Sequence, residues 1–247
     1  MENELQNRAR HEIAHGKKLA QSDPEQIWGW GTPAGRLRAQ RRADWIIQNA
    51  KLSPGKHVLE IGCGTGLFTE LFARSGAHII AVDISAELLD LARAKNLPDE
   101  RVEFLQKRFE DCDLDGPFDA VIGSSVLHHL DILPALVKIK ELLKPGGIMS
   151  FAEPNMLNPI VMIMKNISII KHLVGDSPDE TAFMRWIFKH YLEDSGFSHI
   201  EIVPRDWLFP STPTCIVKLV QCFELICERL PIVREISGSI YIKAESC

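Results

Sequence analysis

LEIGCGTG, residues 59–66, sets three glycines and a carboxylate at the end of an apolar run. Glycine-rich turns after a strand bring backbone close to a nucleotide, so the first question is which nucleotide this one suits. In the dinucleotide fingerprint G-x-G-x-x-G the third glycine follows the second by three places. Here it follows by two, as Gly62, Gly64 and Gly66, and Leu67 stands where the longer motif needs glycine. The spacing disfavours NAD. Glu60 adds a charge argument, because a carboxylate repels a diphosphate and attracts an ammonium or sulfonium cation. A cationic, phosphate-free ligand fits better.

Outward from this stretch, short apolar runs alternate with helical patterns from residue 57 to about 152, the rhythm of a parallel sheet flanked by helices. The predicted strands are HVLEI (57–61), HIIAVDI (78–84), VEFL (102–105), FDAVIG (118–123) and GIMSFAE (147–153). Helices are predicted over Leu67–Ser75, Ala86–Lys95 and Leu133–Leu143, with Ser85 and Asp131 as N-caps of the last two and Pro145-Gly146-Gly147 ending the third.

In the carboxy-terminal third, Ser177-Pro178-Asp179-Glu180 reads as a capping box and predicts a helix from Pro178 to about Asp194, ended by Gly196. FSHIEIV (197–203) and SIYIKAE (239–245) alternate as strands and predict an antiparallel hairpin at the sheet edge. Residues 156–174 and 214–230 are apolar and helical in pattern; they read as insertions over the carboxyl edge of the sheet, where open α/β sheets bind ligands.

The 247 residues suit one large α/β domain with a lid, and a net charge of -5 argues against a general grip on nucleic acid or anionic lipid. Six cysteines without Cys-x-x-Cys or metal-ligand spacing predict neither a disulfide framework nor a metal site. That usage, with a charged amino terminus lacking a signal-peptide core, predicts a reduced, cytoplasmic protein. The most apolar stretch, 159–174, is broken by Lys165 and Lys171, whereas a membrane span needs about 18 uninterrupted apolar residues.

The second predicted strand ends in Asp83, on the neighbouring strand end, where a carboxylate can accept both hydroxyls of a ribose. S-adenosylmethionine meets every condition so far: it carries a sulfonium, an amino group and a ribose, and no phosphate. VLEIGCGTGLFTE, AVDIS, FDAVIGSSVLHHL and LLKPGGIMSFAEPN, in this order, resemble the successive motifs of class I S-adenosylmethionine-dependent methyltransferases, small-molecule type, over roughly residues 40 to 155. The resemblance implies a Rossmann-like, doubly wound, seven-stranded and mostly parallel α/β sheet of order 3-2-1-4-5-7-6, with the last strand antiparallel and helical lid insertions. It implies that Gly62, Cys63, Gly64 and Gly66 pass close to the methionine and ribose, that Ile84 packs on the adenine, and that Phe109 and Glu110 flank its ring and amino group. Where the family often carries an acid one or two places before Glu110, this chain has Lys107-Arg108, which leaves Glu110 to replace it. Ser124 and Ser125 would border the methionine near the methyl group. In WGWGTPAGRLRAQRR (28–42), Arg36 would pair with the methionine carboxylate, the alternative being a solvated helix face with its tryptophans in the core.

Methyl transfer needs no protein nucleophile, and positioning supplies much of the acceleration. Cys63, with nothing cationic beside it, reads as a small spacer. For a hydroxyl acceptor a general base helps; His129 and His128 are the candidates after the fourth strand, with Glu153 at the end of the fifth as a second base or as the group that orients the acceptor. The alternative is that LHHL only begins a loop. GSSVLHHL lacks the Asn/Asp-Pro-Pro-aromatic arrangement of DNA amino-methyltransferases, and no nucleic-acid partner is expected. The apolar insertions, with Met156, Met162, Met164 and Met184, either wall a greasy small-molecule acceptor or serve a homodimer interface or ordinary core packing, and for any single methionine packing is the expected role.

The expected organisation is a helical cap (1–42), a cofactor-binding core (43–155), a lid (156–176) and a carboxy-terminal completion (177–247) with a second insertion at about 205–232. The expected function is methyl transfer from S-adenosylmethionine to a small hydrophobic acceptor, through oxygen first, without metal. The rival from another class is a non-catalytic cofactor-binding sensor or partner subunit, and an NAD-dependent oxidoreductase is the third reading.

Overall fold

A central parallel strand is covered on both faces and must be apolar along its length. His57–Ile61 (β1) satisfies this, every residue after the first being buried. In the computed structural model, which describes residues 2–167, 170–171 and 180–247, β1 pairs in parallel with His78–Asp83 (β2) and Phe118–Ser124 (β4). Val102–Gln106 (β3) extends the sheet beyond β2, and Leu143–Pro154 (β5) beyond β4. Ser239–Ser246 (β7) lies antiparallel between β5 and Phe197–Arg205 (β6), which completes the order β3-β2-β1-β4-β5-β7-β6. The expected hairpin is therefore a pair whose later strand inserts inside the earlier one.

Among the described residues the α-helices with defined bounds are Glu2–Leu19 (α1), Pro24–Ile27 (α2), Pro33–Asn49 (α3), Leu67–Ala73 (α4), Ala86–Arg93 (α5), Ile132–Leu142 (α6), Pro159–Asn166 (α7), Arg185–Asp194 (α8) and Val217–Cys227 (α9). Ser85 caps α5 by accepting the Leu88 N–H, whereas Asp131 stands at the α6 N-cap without a side-chain bond. None of the helices among the described residues is long and apolar enough to cross a membrane. Side chains alternate across β1, so Leu59 and Ile61 face the core with Val121, Leu136, Phe151 and Phe188, while Val58 faces Ile46, Phe72 and Leu89. The same period puts Glu60 on the side of Val58.

The helix expected from Pro178 begins only at Arg185. Ser177, Pro178 and Asp179 lie outside the described residues. Phe183 bridges to Asn155, with its N–H given to Pro154 O and its carbonyl accepting the Met156 N–H. Backbone groups committed to extending the sheet are not available to a helix. Among the described residues the first insertion is helical over Pro159–Asn166 and at 170–171, and the second over Val217–Cys227, which is shorter than its apolar pattern.

The amino-terminal elements sit over the carboxyl end of the sheet. Thr32 caps α3 and also donates to Pro210 O, and Pro33 takes the first helical position. Gly35 permits the approach, since a Cβ there would stand 1.9 Å from Gly29 O. Helix α1 descends on the turn after β2, where a Cβ at Gly16 would lie 2.5 Å from the Ser85 hydroxyl.

A buried charge network ties α3 to the far edge of the sheet. Arg42 and Arg38 reach Asp206 Oδ2 at 2.9 and 3.1 Å, Tyr241 donates to Asp206 Oδ1 at 2.7 Å, and both arginines also bond Ser239. Burial works to raise the Asp206 carboxyl, but Arg42 and Arg38 hold it well below the usual carboxylate range. Breaking a buried pair by removing one partner typically costs about 3–5 kcal/mol. Asp206→Asn should therefore lower the unfolding free energy by roughly that amount, measured by urea denaturation at neutral pH; a change below about 1 kcal/mol would contradict this role for the network.

Candidate functional site

After β1 the chain bends sharply through three left-handed residues, Gly62 (φ +66°), Gly64 (φ +51°) and Gly66 (φ +74°), a region side chains rarely adopt. A Cβ at Gly62 would strike Val126 at 2.2 Å, whereas at Gly64 it would only touch the Trp28 ring at 3.5 Å. Packing thus demands glycine at the first position and backbone conformation demands it at the second. Asp83 Oδ2 accepts the Gly64 N–H at 2.8 Å and Oδ1 the Ser85 N–H at 2.9 Å, so one carboxylate joins the turns after β1 and β2. Burial raises the Asp83 carboxyl, against the pull of those two N–H groups.

Glu60 is 1% exposed, and its Oε2 has no hydrogen-bond partner among the described residues. Burial pushes its carboxyl up to about 8, the Thr69 hydroxyl acts in the other direction, and the Asp83 charge adds to the rise. Burial likewise raises the Cys63 thiol well above its ordinary value, helped by Asp83 and Glu60, which leaves an inert spacer.

Beside this loop, the end of β4 turns through Ser125 at φ +59°. Glu153, buried at the end of β5, binds that turn: its Oε1 accepts the N–H groups of Val126 and Leu127, both at 2.9 Å, and its Oε2 lies 2.6 Å from His128 Nδ1. Burial works to raise the Glu153 carboxyl, but the His128 ring and the two N–H groups bring it below its usual value. Glu153 thus holds the ring of His128 through Nδ1, and the other ring nitrogen, Nε2, faces Glu180 Oε2 at 3.7 Å.

His129 stands between Glu12 on α1, 3.0 Å from its Nδ1, and Glu180, 3.9 Å from its Nε2. Burial lowers its pKa, yet Glu12 and Glu180 more than compensate and raise it, favouring the imidazolium. Glu180 is also bonded by the Lys165 ammonium and stays well below the usual carboxylate range despite burial. One donor atom each from His128, His129 and Glu180 converge within 4.8 Å, a space in which Lys165 already supplies a positive charge.

The other expected residues are more scattered. Ile84 is half-buried at the β2 end, and Phe109 is buried in the core under the Lys138 ammonium. Glu110 pairs with Arg108 at 3.3 Å. Arg36 is exposed and bonds Gly31 O through Nε and Nη2. The arginine that reaches the site is Arg42, which donates through Nη1 to Ser125 Oγ at 3.0 Å and Ser124 Oγ at 3.3 Å, with its guanidinium over the Trp30 ring. Sequence reasoning missed it. The signal was its place on the buried stripe Ala39, Arg42, Ala43, Ile46 of α3, where a solvated arginine would not fall. Glu12 carried no local signal, and Glu180 and Lys165 were legible only as a capping-box residue and as a break in an apolar run.

These residues fit S-adenosylmethionine. Two carboxyl groups, the buried Glu60 with an orphaned oxygen and the half-buried Asp83, border a loop of backbone N–H groups, and no lysine or arginine among the described residues bonds either of them. A phosphate would meet repulsion there; a sulfonium, an ammonium or a ribose would be met by Glu60 and Asp83.

A family described as "Methyltransferase domain" matches residues 58–147. The ubiquinone biosynthesis O-methyltransferase of Xylella fastidiosa (strain 9a5c) is 37% identical over 128 residues, covering 48% of this chain and 52% of that protein. Its counterpart from Coxiella burnetii (strain Dugway 5J108-111) is 32% identical over 160 residues, covering 61% and 64%. The chain thus spans between about half and two thirds of the length of these curated relatives. Among solved structures, N-methyltransferase NodS from Bradyrhizobium japonicum WM9, in complex with S-adenosyl-L-homocysteine, superposes with a TM-score of 0.64 at 14% identity, over 96% of this chain and 98% of that one. The [4+2]-cyclase SpnF superposes with a TM-score of 0.58 at 20% identity, over 84% and 80%. Residues 58–147 thus match a methyltransferase domain, and the chain as a whole shares the fold of these solved structures.

Gly64→Val should abolish S-adenosylhomocysteine binding by calorimetry while circular dichroism stays native; retained affinity would place the ligand elsewhere. Glu60 gives a pH signature. Its folded pKa of about 8 lies above the ordinary 4.5, so the folded chain holds the extra proton between those values and this group's contribution to stability declines as pH rises through that window. The slope approaches about 1.4 kcal/mol per pH unit, and Glu60→Gln should remove it from the ligand-free protein. A cation bound beside Glu60 favours its ionised form, so binding near pH 7 should release a proton in the native chain and none in the variant.

Proposed function

We propose that the chain is an S-adenosylmethionine-dependent methyltransferase that methylates an oxygen of a small, apolar acceptor and leaves S-adenosylhomocysteine. The observation that carries this reading is the Glu153–His128 pair, a buried carboxylate holding one ring nitrogen at 2.6 Å, set in the turn whose Val126 packs on the cofactor loop. Its relatives in ubiquinone biosynthesis, named as O-methyltransferases, support oxygen as the methylated atom.

When bound, S-adenosylmethionine would supply an electrophilic methyl group on its cationic sulfonium, whose sulfur departs as a neutral thioether. Glu60 answers the positive charge, and Asp83 accepts the ribose hydroxyls while keeping the Gly64 turn in place. The Trp28 ring, 3.5 Å from the Cβ position of Gly64, and α1, held through Glu12 and His129, exclude water from the carboxyl edge. His128 Nε2 takes the acceptor's hydroxyl proton, and Glu153 stabilises the imidazolium that results. The raised pKa of His129 makes it a poor base near neutrality and a good positive anchor between Glu12 and Glu180.

His128→Ala should lower turnover by about 10²-fold or more with S-adenosylhomocysteine affinity unchanged, and imidazole in the buffer should restore part of the rate. Full activity in the variant would remove the base assignment. Transfer of radiolabelled methyl from S-adenosylmethionine into a metabolite extract tests the reaction itself: no labelled fraction, despite tight cofactor binding, would make the chain a binding module.

A further inference from the structure

Helix α9 is folded with its charged side inward. Glu224 pairs with Arg41 at 2.7 Å and accepts the Trp207 N–H, and just beyond the helix Glu228 pairs with Arg41 at 2.5 Å and Arg205 at 2.8 Å. Both acids are 7% exposed. Outward, Leu219, Phe223, Ile226 and Leu230 recur at i, i+4, i+7 and i+11, one continuous apolar stripe of helical period, with Leu225 beside it and Ile232 beyond. Leu219 is 70% exposed, Ile226 59% and Ile232 86%. The exposed charged residues from Thr214 to Ile232 are Lys218 and Arg229, both basic.

We propose that this face docks in the plane of a lipid bilayer bearing anionic headgroups. An amphipathic helix lies at such an interface with its apolar stripe in the headgroup–acyl boundary and its cations among the phosphates. At 11 residues α9 is about 16 Å long, too short to cross a bilayer. A two-fold contact between copies would set this face against itself, bringing Lys218 and Arg229 together with no acid on the face to answer them, since Glu224 and Glu228 are engaged inside. Phosphate headgroups supply that counter-charge. The net charge of -5 repels the rest of the molecule from such a surface and orients this face towards it. Docking does not depend on methyl transfer.

The test is flotation of the whole chain with phosphatidylglycerol–phosphatidylcholine vesicles and with phosphatidylcholine vesicles alone, at low and high salt. The chain should float with the anionic vesicles at least about fivefold more than with the neutral ones, and the preference should fade with salt. Phe223→Ser with Ile226→Ser should lower the bound fraction about tenfold. Lys218→Glu with Arg229→Glu, two exposed positions whose exchange leaves the core untouched, should abolish the anionic preference. No flotation on anionic vesicles, or variants that float like the native chain, would overturn the proposal. So would sedimentation equilibrium showing a dimer that Phe223→Ser converts to monomer, since the face would then be an interface between copies.

Discussion

Between the carboxyl ends of β1 and β2, Gly62 and Cys63 give their N–H groups to Val82 O and Gly64 gives its own to Asp83. The bend they make is open only to residues tolerant of positive φ, and it determines where everything else converges. Val126 packs on it from the end of β4, Trp28 from the amino-terminal segment, and Ala92 of α5 closes on Gly66. A single backbone reversal therefore fixes a concave edge bordered by two carboxylates, and the charge of that edge selects what can lie in it.

Around this edge the chain relies on buried ions more than its composition suggests. Arg42, held by Asp206 and Ser239, carries the serine hydroxyls at the end of β4; Glu153 carries the turn that follows; Glu180 meets both histidines and Lys165. Among the described residues each buried charge has an opposite charge or several hydrogen bonds, apart from Glu60, whose carboxyl burial pushes up to about 8. That single exception sits where a cationic ligand would be received. Rigidity at the surrounding ions and an unanswered acid in the middle form a preorganised electrostatic site.

The likeness to both an N-methyltransferase and a [4+2]-cyclase underlines that this fold hosts more than one chemistry, so function has to be argued from side chains. Glu153 holds His128 through Nδ1, whereas the neighbouring His129 stands between Glu12 and Glu180, which raise its pKa against the effect of burial. Two adjacent histidines thus differ in environment through their partners alone.

The sequence by itself determined the strands of the sheet, their order following from the family resemblance. Strand periodicity, the glycine spacing, Glu60 and Asp83 are local signals, and local backbone preference agreed with the final structure along residues 57 to 154. Tertiary structure decided the rest. Ser177-Pro178-Asp179-Glu180 reads as a helix start, yet the backbone at Phe183 bonds to β5 and delays the helix to Arg185. Arg36 and Arg42 are indistinguishable as residue types, and only the packing of α3 sends one to solvent and the other to Ser124 and Ser125. The apolar pattern of 214–230 specifies a helix but not which side faces inward; Arg41 and Arg205, distant in sequence, turned its acids to the interior and left its leucines outside. Pattern reports which residues share a face, and only long-range partners decide what that face meets.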